Sequence, residues 1–414
     1  MRSGRRKKVA QRAAPTTFDP CPPGAVGGQY KPLNETEVRQ IYDTAVRLLS
    51  ELGMGEVPER RKQDLLRNGA GIKGERVLFP KDMIESAIKT APKQFTLHGR
   101  DPSRSIHIGG DSVHFGTGGA AVQTLDIDTA QYRPSTLKDL HHFTRLQDAL
   151  RNISWFTRCC VATDVPDNFD LDVNTVFALL KNTTKPVATS FTIAPHVAPI
   201  VRMLDIAAGG EGKFAKRPFL KAHISPVISP LRYAEDAVDV VYECTAHSIP
   251  MSCITAAQAG ATAPATLAGI LTQSLAETIA SLVMVQTIQP GFPMVFSNWP
   301  FVIDLRTGAF AGGSGETAVL NAASAQVSNW LGLPSGVASS MTDAKAIDAQ
   351  YGMEKGMTSI AAALSGGNLI YESSGMTASL LGASFEGFVL DDEMHSNSYR
   401  ALRGIEVNDA TLGF

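Results

Sequence analysis

The residues of this 414-residue chain best suited to chemistry are aromatic or neutral polar. The stretch "FSNWPFVIDLRTGAF" sets Trp299, Phe301 and Phe310 around Asp304 and Arg306. Ring faces attract a quaternary ammonium and a guanidinium pairs with a carboxylate, so the set suits a zwitterion. On spacing alone, core aromatics and a loop salt bridge are the plainer reading. His223, Gln258 and Asn298 are further polar candidates, and for His223 a satisfied barrel-core histidine is the plainer reading. "LGLPSGVASSMTDAKAIDAQYG" places Met341 between Ser340 and Thr342, just before a new helix that carries Glu354. The chain shows no His-x-His pair, no Cys cluster and no strand-end Lys, so a metal centre and Schiff-base chemistry are both poorly supported. "GATAPATLAG" and "AGGSGETAV" open helices where a carboxylate could dock, with plain capping as the alternative.

These residues need elements to position them. Eight short β-branched runs recur after about residue 110: "SVHFG", "SWFTRCCVATDV", "KPVATSFT", "RPFLKAHISP", "SIPMSCITAA", "FPMVFSNW", "SGVASSMT" and "GGNLIYESS". Helix-patterned segments alternate with them, which predicts an α/β chain with a parallel sheet. Eight units match a (β/α)8 TIM-type barrel, here with an N-terminal helical extension. The expected division is a disordered basic tail (1–30), a helical extension (31–110) and the barrel (111–414). An open doubly wound sheet is the rival, and "FGTGGAAV" nominally fits its phosphate fingerprint. That run leads into "QTLDIDTAQY", which reads as a β-hairpin and not as the helix start the fingerprint requires. In a barrel, the strand ends put Phe115, Thr117, Asp164, Thr192, His223, Ser225, Gln258, Asn298, Trp299, Met341, Glu372 and Ser373 at the mouth.

A net charge of -2 gives no general attraction for nucleic acid. The basic "MRSGRRKKVAQR" reads as a solvated tail. The apolar run after Pro264 carries Gln273, Ser274, Glu277 and Thr278 at its middle, which a bilayer would penalise. It predicts a helix packed on the barrel or on a second copy, so self-association is expected and a membrane span is not. The 5 cysteines form no CxxC pair, and with no signal-peptide core they predict reduced thiols and a cytoplasmic setting.

Four segments taken together resemble the trimethylamine methyltransferase (MttB) superfamily. They are "AQAGATAPATLAGILTQSLAETIASLVMVQTIQPGFPMVFSN", "DLRTGAFAGGSGETAVLNAASAQ", "LGLPSGVASSMTDAKAIDAQYGMEKG" and "ASFEGFVLDDEMHSNSYRALRGIEVND". The resemblance implies a (β/α)8 barrel that moves a methyl group from a methylated amine to cobalt. The cobalt belongs to cobalamin on a separate corrinoid protein, so no tightly bound cofactor is implied. Met341 falls where archaeal members carry pyrrolysine, so the chain is similar to the nonpyrrolysine branch, whose members demethylate quaternary amines such as glycine betaine. On this resemblance Met341 and His223 stand nearest the chemistry. Trp299 and Phe301 form an aromatic box, and Arg306 with the "GATAP" backbone holds a carboxylate. Asp304 lies beside Arg306; His223, Gln258 and Asn298 orient the substrate or contact the corrin ring, and Glu354 contributes to a cation site or caps its helix. Relatives continue past the "GIxVND" segment, which implies a chain shortened at its C-terminus. A non-catalytic betaine-binding barrel and a trimethylamine enzyme are the alternatives.

Overall fold

A computed structural model describes Asp19 and residues 22–413. Eight parallel strands form one curled sheet: β1 (His114–Phe115), β2 (Phe156–Thr157), β3 (Val187–Thr189), β4 (Leu220–Ile224), β5 (Met251–Thr255), β6 (Met294–Asn298), β7 (Ser335–Ala338) and β8 (Leu369–Tyr371). Each lies inside one of the eight runs picked out in the sequence. Around the sheet the order is β1, β8, β7, β6, β5, β4, β3, β2. The edges β1 and β2 meet: Ser154 N–H donates to the Phe115 carbonyl at 3.0 Å. The buried Thr117 hydroxyl donates to the Thr157 carbonyl at 2.9 Å and accepts the Thr157 N–H at 3.1 Å. The sheet is therefore a TIM-type barrel, as the strand count predicted.

Each strand is followed by a helix on the outside. These are α4 (Leu137–Ala149), α5 (Asn168–Asn182), α6 (Val197–Ala208), α7 (Glu235–Ala246), α8 (Leu267–Ile288), α9 (Gly315–Trp330), α10 (Ala349–Leu364) and α11 (Phe385–Leu402). The N-terminal helices α1 (Glu35–Arg47), α2 (Glu59–Arg67) and α3 (Lys81–Thr90) pack over α8. Asn34 starts α1 with a capping box to Glu37, and the chain leaves at Gly53, with φ 74°. The apolar α8 is long enough to cross a membrane, yet most of it is buried within this chain. Its mid-helix polar groups are satisfied: Glu277 accepts from Ser229 and the Leu231 N–H, and Thr278 bonds Thr255. The chain's own N-terminal helices therefore cover the apolar face from which self-association was expected.

Gln123–Leu125 and Tyr132–Pro134 pair antiparallel, as expected of a hairpin, which removes the phosphate-fingerprint reading. A second hairpin, Gln94–Leu97 with Ile106–Gly109, lies against the amino ends of the strands. It puts Leu97, Ile106 and Ile108 into one apolar cluster with Trp155, Val295 and Leu369. The expected tail to residue 30 is corrected at its end: the Gly24, Gly27 and Tyr30 N–H groups bond the carbonyls of Val113, Asp111 and Leu364. The basic cluster before them lies outside the described residues.

The seam between β1 and β2 should be a weak point. Thr117→Val keeps the shape but leaves two buried backbone groups unpaired, so a loss of about 2–3 kcal/mol in urea unfolding is expected.

Candidate functional site

The alternation of a strand turns Lys221 and His223 of β4 into the barrel, while Leu220, Ala222 and Ile224 join the outer core. The same parity brings Ser252 from β5 and Tyr371 from β8 inside. Lys221 Nζ donates to Tyr371 Oη at 2.6 Å and to Ser252 Oγ at 3.1 Å. It lies 4.9 Å from the Trp155 ring centroid and 4.8 Å from that of Tyr371. Desolvation lowers its pKa to about 7.

Above this node stands a set of rings. Tyr371 lies 4.5 Å from Trp155 and 4.9 Å from Trp299, centroid to centroid, and Phe301 lies 4.9 Å from Phe310. The Trp299 indole N–H donates to the Gly336 carbonyl at 3.1 Å, which fixes the ring plane. Met341 is fully buried in the same cluster as Trp155, Trp299, Phe301 and Tyr371. His223 touches this set, 5.6 Å from Trp299 and 5.5 Å from Tyr371. Burial, then the charges of Lys221 and Arg158, hold His223 well below the usual imidazole range, so it is neutral.

His223 also lines a cavity of about 340 Å³ at the carboxyl ends of β2, β3 and β4, with Arg158, Phe191, Thr192 and Ser225 among its walls. That is where barrels carry their chemistry. Glu372 stands close by, its Oε1 accepting the N–H of Gly119, a cavity residue, at 3.3 Å. A Cβ on Gly118 would sit 1.5 Å from Glu372 Oε2, so only glycine fits there. Glu372 Oε2 has no partner among the described residues, and desolvation raises the carboxyl to about 7. Ser340 and Glu372 both hold φ 60°, a strained backbone for side-chain-bearing residues at the ends of neighbouring strands.

Of the predicted residues, the fold brings together Met341, His223, Trp299 and Phe301. Arg306 goes elsewhere: its side chain is 89% exposed and pairs with Asp304 at 3.1 Å on a rim loop. The "GATAP" backbone is spent as well. The N–H groups of Ala261, Thr262 and Ala263 donate to the Gln258 carbonyl, and that of Gly260 to the Ala263 carbonyl. The carboxylate role expected of Arg306 and this loop is therefore corrected. Gln258 lies on the rim, where Gln258–Ala259 pairs with Phe301–Val302. Asn298 shares the outward parity of Met294 and Phe296, behind the rings, and its amide atoms have no hydrogen-bond partner among the described residues. Glu354 Oε2 accepts from the Thr342 hydroxyl at 2.7 Å and the Asp343 N–H at 2.8 Å. It braces the turn that follows Met341. The sequence reading missed Arg158, Tyr371 and Lys221, and named Glu372 at the mouth without giving it a role.

The trimethylamine methyltransferase (MTTB) family model matches residues 1–414. The chain is 29% identical over 387 residues to glycine betaine methyltransferase of Desulfitobacterium hafniense (strain Y51), covering 93% of this chain and 80% of that protein. It is also 29% identical over 381 residues to trimethylamine methyltransferase MttB of Desulfitobacterium hafniense (strain DSM 10664 / DCB-2), covering 92% and 76%. The MttB of Methanosarcina barkeri (strain Fusaro / DSM 804) gives 29% over 382 residues, covering 91% and 77%. Among solved structures, dihydropteroate synthase from Vibrio fischeri ES114 is 11% identical with a TM-score of 0.42, over 76% of this chain and 100% of that one.

The raised carboxyl of Glu372 fixes the sign of a pH effect. The folded form keeps its proton up to about 7 against an ordinary 4.5, so this group's contribution to stability falls as pH rises between those values. Urea melts at pH 5 and pH 8 should show Glu372→Gln gaining stability relative to the parent at the higher pH.

Proposed function

The chain belongs to the trimethylamine methyltransferase family, and on that premise we propose that it takes a methyl group from a quaternary amine. Glycine betaine or a similar betaine is the donor, a corrinoid held by a separate protein is the acceptor, and a tertiary amine is released. The observation that carries this reading is the burial of Met341 among Trp299, Phe301 and Tyr371, beside a neutral His223. A quaternary nitrogen already bears its positive charge. Its C–N bond can break with the electron pair staying on nitrogen, and no proton has to be supplied. Cobalt(I), as the nucleophile, supplies the pair for the new bond to methyl.

The chain's own groups hold and shield. Ring faces stabilise a desolvated ammonium by about 2 kcal/mol or more. Met341 offers a polarisable thioether with no proton to donate, packed where water is excluded. Glu354 keeps the Met341 turn in place through Thr342 and Asp343. The four cysteines that the structure describes are buried free thiols, in keeping with a reducing, cytoplasmic setting.

The test mixes the protein with a reduced corrinoid protein and a panel of quaternary and tertiary amines, following the corrinoid's visible spectrum for methylation. Methylation is expected with a betaine and not with trimethylamine; a flat trace across the panel overturns the reading. Trp299→Leu should lower kcat/KM for the active amine on the order of 10- to 100-fold, given the cation–π contribution it removes.

A further inference from the structure

The side chain of Arg158 has no assigned role and an unusual position. It follows β2 directly and lines the cavity shared with His223. Among the described residues its guanidinium has no hydrogen-bond or ion-pair partner, and the residue is half-buried in the cavity wall. A guanidinium brings five donors in a planar fork, and leaving them unmet is costly unless a ligand meets them.

Two acids beside Arg158 already have partners of their own. Asp172 is the closest in charge terms. Its oxygens accept from the Thr192 N–H and hydroxyl, each at 2.8 Å, and meet His196 Nδ1 at 2.7 Å. Asp236, on the cavity wall, turns back to accept the Ala237 N–H at 2.8 Å and forms no ion pair with Arg158. Every other polar side chain on the wall (Thr157, Ser190, Thr192, Ser225 and the neutral His223) is uncharged. Burial pushes the Arg158 pKa down from its ordinary value, as expected for a cation lacking a counterion. His223 joins the two halves of the site: it lines this cavity, its buried Nδ1 has no hydrogen-bond partner among the described residues, and its ring meets Trp299 and Tyr371. A cavity of about 340 Å³ is at the small end of ligand pockets, which run from about 300 to 1,000 Å³.

We propose that Arg158 receives the anionic end of the substrate in this cavity while the rings beyond His223 hold its ammonium end. The chain thereby selects carboxylate-bearing quaternary amines over those with a neutral tail. This rests on the reading that the aromatic cluster holds the ammonium. Arg158 acts as a specificity-determining residue and takes no part in bond breaking.

Calorimetry with glycine betaine and choline as probes tests it without any corrinoid. Arg158→Gln is expected to weaken glycine betaine on the order of 10- to 100-fold, the range of a charge-assisted hydrogen-bonded pair. Choline should stay within about twofold, and Arg158→Lys should fall between. Unchanged choline binding also shows that the variant has folded. Equal weakening of both probes, no effect on either, or a parent protein that binds neither overturns the proposal. The two readings fail separately. Glycine betaine binding that depends on Arg158 with no methylation sinks the reaction and keeps the site. Methylation that is indifferent to Arg158→Gln sinks the site and keeps the reaction.

Discussion

The contact of Lys221 Nζ with Tyr371 Oη holds the interior of this barrel in order. An ammonium in the centre of a TIM barrel loses its water, and the Tyr371 and Ser252 hydroxyls with two ring faces replace only part of it. The compensation fixes the geometry above. Tyr371 cannot rotate without releasing the amine, and its ring in turn sets where Trp299, Trp155 and His223 can lie. Desolvation sets the charges too, keeping His223 neutral and holding the proton on Glu372 to about 7. Arg158 stays cationic because a guanidinium is the last of these groups to give up its proton.

A second layer keeps the mouth in shape from behind. Lys355 of α10 and Asp391 of α11 lie 3.1 Å apart, both buried, and Asp391 also accepts from Tyr351 and from the Gly375 N–H just past β8. Glu354, one residue before Lys355, reaches the turn after Met341. A single helix thus carries one side chain to the Met341 turn and the next to Asp391, which in turn holds the Gly375 N–H after Glu372. Such pairs add little net stability but cost several kcal/mol when half-removed, so they fix one arrangement firmly.

The architecture was legible because parallel barrel strands are buried on both faces and read as short β-branched runs between amphipathic helices. The helix α8 was also readable, since Glu277 and Thr278 in an apolar run signal internal partners. The site was legible only in part. Met341, Trp299 and His223 follow directly from the strand-end rule. Arg158 escaped because the run "SWFTRCCVATDV" was read as ending at Asp164, whereas β2 stops at Thr157. Tyr371 lies unremarked inside the run "GGNLIYESS", and it takes a three-dimensional register to set it over Lys221. Arg306 misled for the opposite reason: it is near Trp299 in sequence, but the backbone N–H of Arg306 bonds Asp304 in a tight turn that carries its side chain outward.

The hairpin across the amino end of the barrel has a consequence for traffic. Among the described residues Leu97, Ile106 and Ile108 fill that end, which leaves the carboxyl side as the way in. On the proposed reaction, a small amine and a bulky methyl acceptor would share that end, so the amine would be seated before the acceptor docks over it and the demethylated product would leave after the acceptor withdraws. The closed floor of the barrel would then set an order for its visitors.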